Sequence, residues 1–345
     1  MAASLLVLLA TSCTLTSSET KAPPQVSADA DTDTDTDADT DTDADTDTDP
    51  LVGSTDGEGF GAAVAFVGAD LYIGAPHGEQ GRVLRYRSGK LTPVVTGGGR
   101  TGSALAGGND LLIGAPVTNS GSGAVLTVDG STLLTGGSAG LAVAWADDWL
   151  AATATGWQSA AGGETTPARP SALAALSDGV AWTIGVGMLT GDIALAAGSQ
   201  QFARLSPQDE AGFALAAGDV DGDGLAEWIL GAPGAGRVDV LSATDLSIEA
   251  TLSGTGRFGA ALAVGDVDGD GIADLLIGSP AAGESLEGAA ALYTSGDLTS
   301  PAATFSGTTT GDQLGFAVAV APGVLALGAP GSAAQPGRVE QHTTW

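Results

Sequence analysis

Only one cysteine, Cys13, stands in the 345 residues, so no intrachain disulfide can form. Basic residues are almost as scarce: 11 Lys and Arg are set against 41 Asp and Glu, for a formal charge of -30. Nucleic-acid phosphates require a cationic surface, so this balance argues against a nucleic-acid partner and favours cations or basic ligands. Histidine is limited to His77 and His342. Neither has an acid or nucleophile beside it in a recognisable arrangement, and no G-x-S-x-G elbow stands out with its partners, so the chain is expected not to be an enzyme. Apolar runs are short as well: Leu5 to Ala10 is far too brief to span a bilayer as a mature helix. Glycine is what abounds, at 54 residues, and it suits turns rather than long helices.

The first residues, "MAASLLVLLATSC", place that apolar stretch ahead of small residues and Cys13. This resembles a bacterial lipoprotein signal, which implies cleavage before Cys13 and lipid attachment to it; the alternative is a cleaved secretory signal in which the cysteine is incidental. Residues 1–13 are therefore assigned as a signal segment, and the protein is expected to be exported, anchored at the bacterial cell surface or else secreted. Residues 14–49 follow as a stalk. Asp alternates there with Thr or Ala, and 29–49 hold 11 Asp and no basic residue. Like charges this dense repel, and nothing apolar offsets the entropy of ordering, so a disordered, extended spacer is expected rather than a calcium store.

From residue 50 onward the chain repeats itself. "LYIGAP" at 71–76 returns as "LLIGAP" at 111–116, "WILGAP" at 228–233, "LLIGSP" at 275–280 and "LALGAP" at 325–330, with worn copies "WLAATA" at 149–154 and "WTIGVG" at 182–187. The seven units recur at roughly 40-residue steps, a length that suits a four-stranded blade. Each good unit runs from an apolar strand to the "LLIGAP" strand, then to an alternating strand such as "GRVLRYR" or "GRVDVLS", then to a short last strand. The seventh unit ends at "GRVEQHTTW" before its last strand, while "PLVGS" at 50–54 stands unclaimed. The expected fold is all-β: a seven-bladed β-propeller of four-stranded blades over 50–345, with residues 50–54 completing the last blade and removing an open sheet edge. The third unit has lost its glycine-proline phrase and is short of outer strands.

These units resemble FG-GAP repeats, the blades of the integrin alpha-subunit propeller. The "FG" element stands at Phe60-Gly61 and Phe258-Gly259, and in shifted form at Gly212-Phe213 and Gly315-Phe316. The resemblance implies a cell-surface binding or adhesion module. FG-GAP repeats also accompany polysaccharide- or phospholipid-cleaving activity, so an exported enzyme is one alternative, and a passive coat protein is another.

Two units carry an extra acidic phrase, "GDVDGDGLAEWILGAP" at 218–233 and "GDVDGDGIADLLIGSP" at 265–280. Asp219, Asp221 and Asp223 alternate, Gly222 and Gly224 let the chain bend back, and Glu227 arrives at the ninth position. A hard cation such as calcium takes six to eight oxygens, and this spacing can wrap one, with Leu225 lending its backbone carbonyl. In the sixth unit the same roles fall to Asp266, Asp268, Asp270, the carbonyl of Ile272, and Asp274. An EF-hand would need a bidentate Glu at position twelve, where Leu230 and Ile277 stand instead, inside strands. The ninth-position acid therefore closes the cage, as the resemblance also implies. Two calcium sites are expected, because the first, second and seventh units have "VGAD", "GGND" and "APGV" at this place. Magnesium suits such a loop less well, since it dehydrates reluctantly.

The remaining candidates have plainer uses. Arg82, Arg85, Arg87 and Lys90 gather in the stretch "GRVLRYRSGK", where Arg85 and Arg87 would share one face of a strand and could dock an acidic ligand, though a solvated face accounts for them. Trp145, Trp149, Trp157 and Trp182 could stack on a sugar or peptide, yet filling the space between blades is the ordinary use of tryptophan. The partner is expected to be a protein or glycan, the membrane is met only through a lipid anchor, and the chain is expected to be a monomer.

Overall fold

The computed structural model describes residues 50–343 apart from 79, 99, 118–121, 146–147, 161, 166–169, 178–181, 189–192, 196–208 and 333. Cys13 and the acidic stalk lie outside the described residues. Among those that are described, no helix is long and apolar enough to cross a membrane.

Strands account for almost all regular structure. After β1 (Leu51–Val52), the first unit forms β2 (Ala63–Val67), β3 (Asp70–Ala75), β4 (Gly81–Arg87) and β5 (Lys90–Gly97). The second forms β6 (Ala104–Gly107), β7 (Leu111–Ala115), β8 (Gly123–Leu126) and β9 (Thr132–Gly136), and the third β10 (Val143–Trp145), β11 (Trp149–Thr153), β12 (Gly156–Ser159) and β13 (Gly162–Thr165). The fourth comprises β14 (Pro170–Ser177), β15 (Trp182–Met188) and β16 (Ile193–Leu195). The fifth has β17 (Ala214–Gly218), β18 (Glu227–Ala232), β19 (Arg237–Ser242) and β20 (Ile248–Ser253); the sixth has β21 (Ala261–Gly265), β22 (Asp274–Ser279), β23 (Ala289–Tyr293) and β24 (Ala303–Ser306). The last three strands are β25 (Ala317–Ala321), β26 (Val324–Ala329) and β27 (Arg338–Thr343).

Each sheet is an antiparallel meander, and the first strands pack side by side in order, β2 on β6, β6 on β10, β10 on β14, β14 on β17, β17 on β21, β21 on β25, and β25 back on β2. The chain is thus a β-propeller. Leu51 pairs with Val339 and Val52 with Arg338, so β1 adds a fourth strand to β25–β27 and joins the two ends of the domain. The inner strands enclose a central cavity of about 290 Å³ lined by Val64, Phe66, Leu105, Trp145, Leu262 and Val320 among others.

The expectation of seven four-stranded blades is corrected here. Six sheets have four strands, and the sheet β14-β15-β16 has three. The third unit, which the sequence suggested was short of outer strands, forms a full blade, because Trp157 and Gln158 pair with Glu164 and Gly163 through a tight turn. The shortfall falls in the fourth unit. Its second strand lacks the glycine-proline phrase, and its third strand is only the three residues Ile193–Leu195, with no described strand beyond it.

The repeated glycines explain how blades pack. In each good unit the glycine of the "FG" element has positive φ (Gly61 88°, Gly102 87°, Gly259 89°, Gly315 81°). The N–H groups of Gly61, Gly102 and Gly259 donate to the "GAP" glycine of their own blade, as from Gly259 to Gly278 at 3.1 Å. Its carbonyl lies against the "GAP" glycine of the preceding blade: a Cβ added at Gly74, Gly114, Gly231, Gly278 or Gly328 would stand 2.0–2.1 Å from the oxygen of Gly102, Gly140, Gly259, Gly315 or Gly61. Neither glycine can carry a side chain, because one is left-handed and the other is covered by backbone. The residue before the left-handed glycine turns inward, and Phe60, Thr101, Ala139, Ala211, Phe258 and Leu314 are all buried. Phe213 and Phe316 follow that glycine and are 43% and 45% exposed, so they are not equivalents of Phe60 and Phe258.

A second device locks the loops between units. Arg82 pairs with the buried Glu58, which also accepts the Ser54 N–H at 2.8 Å, next to β1. Arg338 reaches the buried Asp312 at 2.5 Å, and Arg237 reaches Asp209 at 3.6 Å and Asp239 at 3.0 Å. The acids Glu58, Asp209 and Asp312 occupy the same place, three residues ahead of the left-handed glycine. Of the basic cluster, Arg82 on β4 is thereby used, Arg85 and Arg87 on the same strand lie 3.9 and 3.3 Å from Asp70, and Lys90, which opens β5, is exposed.

Gly278→Ala should lower the unfolding midpoint by roughly 2–6 °C, given ~1–3 kcal/mol for overpacking and about 2 °C per kcal/mol in a domain of this size. Gly136→Ala, in a strand with nothing within 4 Å of the added methyl, should leave it nearly unchanged in the same calorimetric scan.

Candidate metal sites

Both acidic phrases form the hairpin loop between the first two strands of a blade. Gly218 pairs with Glu227 at the end of β17–β18, and Gly265 with Asp274 at the end of β21–β22, so the ninth-position acid is already a strand residue. Gly222 and Gly224 have φ of 79° and 87°, and Gly269 and Gly271 of 81° and 90°, which turns each loop back on itself. The acids then bind the loop's own N–H groups. Asp219 accepts from Gly222 at 2.8 Å and Gly224 at 3.0 Å, Asp221 from Asp223 at 3.0 Å, Asp223 from Leu225 at 2.7 Å, and Glu227 from Val220 at 2.9 Å. In the sixth unit Asp266 accepts from Gly269 at 2.6 Å and Gly271 at 3.1 Å, Asp268 from Asp270 at 3.1 Å, Asp270 from Ile272 at 2.8 Å, and Asp274 from Val267 at 2.6 Å.

The outcome is one oxygen from each of Asp219, Asp221 and Glu227 within 4.8 Å of the others, and the same for Asp266, Asp268 and Asp274. Oxygens on opposite sides of a calcium ion are about 4.8 Å apart, so each triad is compact enough to share one ion. Asp223 and Asp270 stand outside the triads, although like Asp221 and Asp268 each caps the N–H two residues on. The side chain of Leu225 is 55% exposed, while Ile272 packs over Gly222 of the neighbouring loop.

Electrostatics make the triads costly without a cation. Glu227 is 1% exposed, and its carboxyl is pushed up to about 7, by burial first and by Asp221, Glu249 and Asp219 in addition, against the Val220 N–H that lowers it. Asp274 is fully buried and is raised likewise, by burial and then by Asp268. A buried carboxylate beside like charges is the arrangement a bound cation relieves. An all-oxygen donor set suits a hard ion rather than zinc or copper.

One contribution lies outside the acidic phrase. The Ser295 hydroxyl is 3.3 Å from Asp268 and its N–H 3.4 Å from Asp274, bringing the β23–β24 turn onto the sixth-unit triad. No spacing within the loop could have pointed to it, since Ser295 follows the next strand but one. Trp145, Trp149, Trp157 and the two histidines stand apart from the triads. Trp145 and Trp149 pack into the core between the second and third units and Trp157 into the third, while the expectation for Trp182 lies outside the described side chains. His77 packs against Gly59, and His342 meets Glu340 at 3.3 Å and the Phe305 ring at 4.5 Å.

Residues 258–294 match the FG-GAP repeat. That match begins at Phe258 and takes in the whole sixth-unit loop and triad, and ends at Thr294. The FG-GAP match therefore contains one of the two triads, and the fifth unit repeats five of its loop bonds at equivalent residues. No curated protein matches the chain.

The raised carboxyl of Glu227 gives a pH signature. An acid whose folded value lies above its unfolded value of 4.5 stabilises the fold fully below that value and loses the contribution as pH rises through about 7. In chelator, the unfolding midpoint should fall as pH is raised from 5 to 7.5, and Glu227→Gln should flatten the trend. Saturating calcium should reverse it, because the ion requires the ionised carboxylate; a midpoint independent of both pH and calcium would contradict the electrostatic account.

Proposed function

We propose that this chain is an exported calcium-binding propeller that serves as a binding or adhesion module for a protein or glycan and performs no catalysis. The observation that carries the reading is the pair of loops with one bond pattern, each gathering three carboxylates around a buried acid. Asp219, Asp221 and Glu227 would hold one calcium, and Asp266, Asp268 and Asp274 the other. The ion's remaining positions would fall to water and main-chain oxygens, with the carbonyls of Leu225 and Ile272 as the first candidates. The bound ion neutralises the triad and staples the hairpin; it supplies rigidity, not chemistry.

Export agrees with this assignment, since calcium sites of modest rigidity fill at extracellular calcium levels. Attachment through a lipid on Cys13, with the Asp-rich segment as spacer, completes the proposal, and the chain acts as a monomer. The contact surface we favour lies at the opposite ends of the strands from the cation loops. Phe213 directly precedes β17 and Phe316 directly precedes β25, and both are exposed. The Arg257 guanidinium stands 5.2 Å from the centre of the Phe213 ring and is paired with Glu210 at 2.8 Å. Exposed aromatic rings with a polar rim are suited to sugars and to peptide side chains.

Titration calorimetry on the full chain should find two equivalents of calcium, with Asp221→Ala and Asp268→Ala each removing one. Two equivalents retained in either variant would refute the ligand assignment. On a glycan and protein array run with calcium and with chelator, Phe213→Ala combined with Phe316→Ala should lower the signal at least tenfold without altering calcium stoichiometry.

A further inference from the structure

We propose that the two cation sites are energetically coupled, so that filling either strengthens the other, and that the turn Thr294–Asp297 of the sixth unit is a bridge between them. The inference rests on the calcium assignment above and adds a property that neither site has alone.

Two direct contacts join the loops. The N–H of Ala273, the residue before the buried Asp274, donates to the carbonyl of Asp219 at 3.0 Å. Beside it, Ile272 covers the apex of the fifth-unit loop so closely that a Cβ on Gly222 would stand 2.9 Å from Ile272 Cδ1. A shift of Asp274 is therefore felt at the first acid of the other triad.

The turn supplies a third contact. Its own bond, from the Asp297 N–H to the Thr294 carbonyl at 3.0 Å, fixes its shape, with Ser295 and Gly296 both left-handed at φ of 55° and 71°. Ser295 holds Asp268 and Asp274 of the sixth-unit site. Gly296 lies on the main chain of Asp221 in the fifth-unit site, where an added Cβ would be 2.7 Å from the carbonyl oxygen. Adjacent residues of one turn thus touch both triads, one through side-chain carboxylates and one through backbone.

The fifth unit has no such support of its own. Register places Ser242 opposite Glu227 and Tyr293 opposite Leu275, so Ala243 stands where the sixth unit has Ser295. The Ser242 hydroxyl is engaged with Thr244 at 2.9 Å. The fifth-unit loop is held from outside by residues of the sixth unit. A cation that fixes Asp268 and Asp274 also fixes the turn and the Ala273 N–H, so the ordering entropy of the fifth-unit loop is partly met before its own ion arrives.

The test is calcium titration of the full chain and of Asp221→Asn and Asp268→Asn, each of which leaves one site. Coupling predicts that the product of the two wild-type association constants exceeds the product of the two single-site constants by roughly 5- to 150-fold. Gly296→Ala, which alters no ligand oxygen, should cut that excess severalfold. Ser295→Ala is the milder companion, expected to cut it while leaving the midpoint in chelator within about a degree, which a merely structural role would not allow. Equal products would overturn the coupling and leave the calcium assignment standing. A wild-type chain that binds no calcium would overturn both.

Discussion

The contact on which this propeller depends is glycine on glycine. At each good junction a left-handed backbone presents its carbonyl to the bare Cα of the neighbouring blade, and the N–H of that residue, or of Phe316 after Gly315, returns to the second strand of its own blade. One short segment thereby sets both the start of a blade and its distance from the previous one. A methyl on either glycine would meet backbone, which cannot move aside as a side chain can. This is why both glycines recur in the first, second, fifth, sixth and closing units. Gly140 tolerates Ala152 as its partner, since it needs only that residue's carbonyl.

With blade spacing set at the junctions, the opposite ends of the strands are free to differ. Short turns suffice in the first, second and closing blades, whereas the fifth and sixth lengthen the hairpin and fill it with acid. The hydrogen bonds within each loop are made by the carboxylates themselves, so the loop keeps its shape while its charge remains unbalanced. Burial of Glu227 and Asp274 at the strand ends concentrates that imbalance where water is least able to screen it. Because neighbouring blades are held close, the two loops also touch, and Val267 extends the chain of contacts by accepting the Gly323 N–H from the closing blade.

Much of this was legible in the chain. The repeat marked the strands, the unclaimed segment at 50–54 lies where β1 pairs with β27, and the acids of both triads stand in the two phrases with alternating Asp. Other features were not. Asp223 and Asp270 carry the same alternation as their neighbours, yet they stand outside the two triads. The third unit has no recognisable phrase and still forms four strands, because a tight turn between β12 and β13 suffices. The Arg82, Arg237 and Arg338 locks join the third strand of a blade to the loop that enters the same blade, a proximity that only the folded meander creates.

The sequence by itself determined the strand period, the glycines at the junctions and the two acidic hairpins, since each depends on residues close together along the chain. Tertiary structure alone decided which sheets reach four strands, which acids converge, and that Ser295 and Gly296 lie between the two loops. Those outcomes depend on where one blade sets its neighbour, and that distance is fixed by backbone contacts across the ring, which no local pattern records.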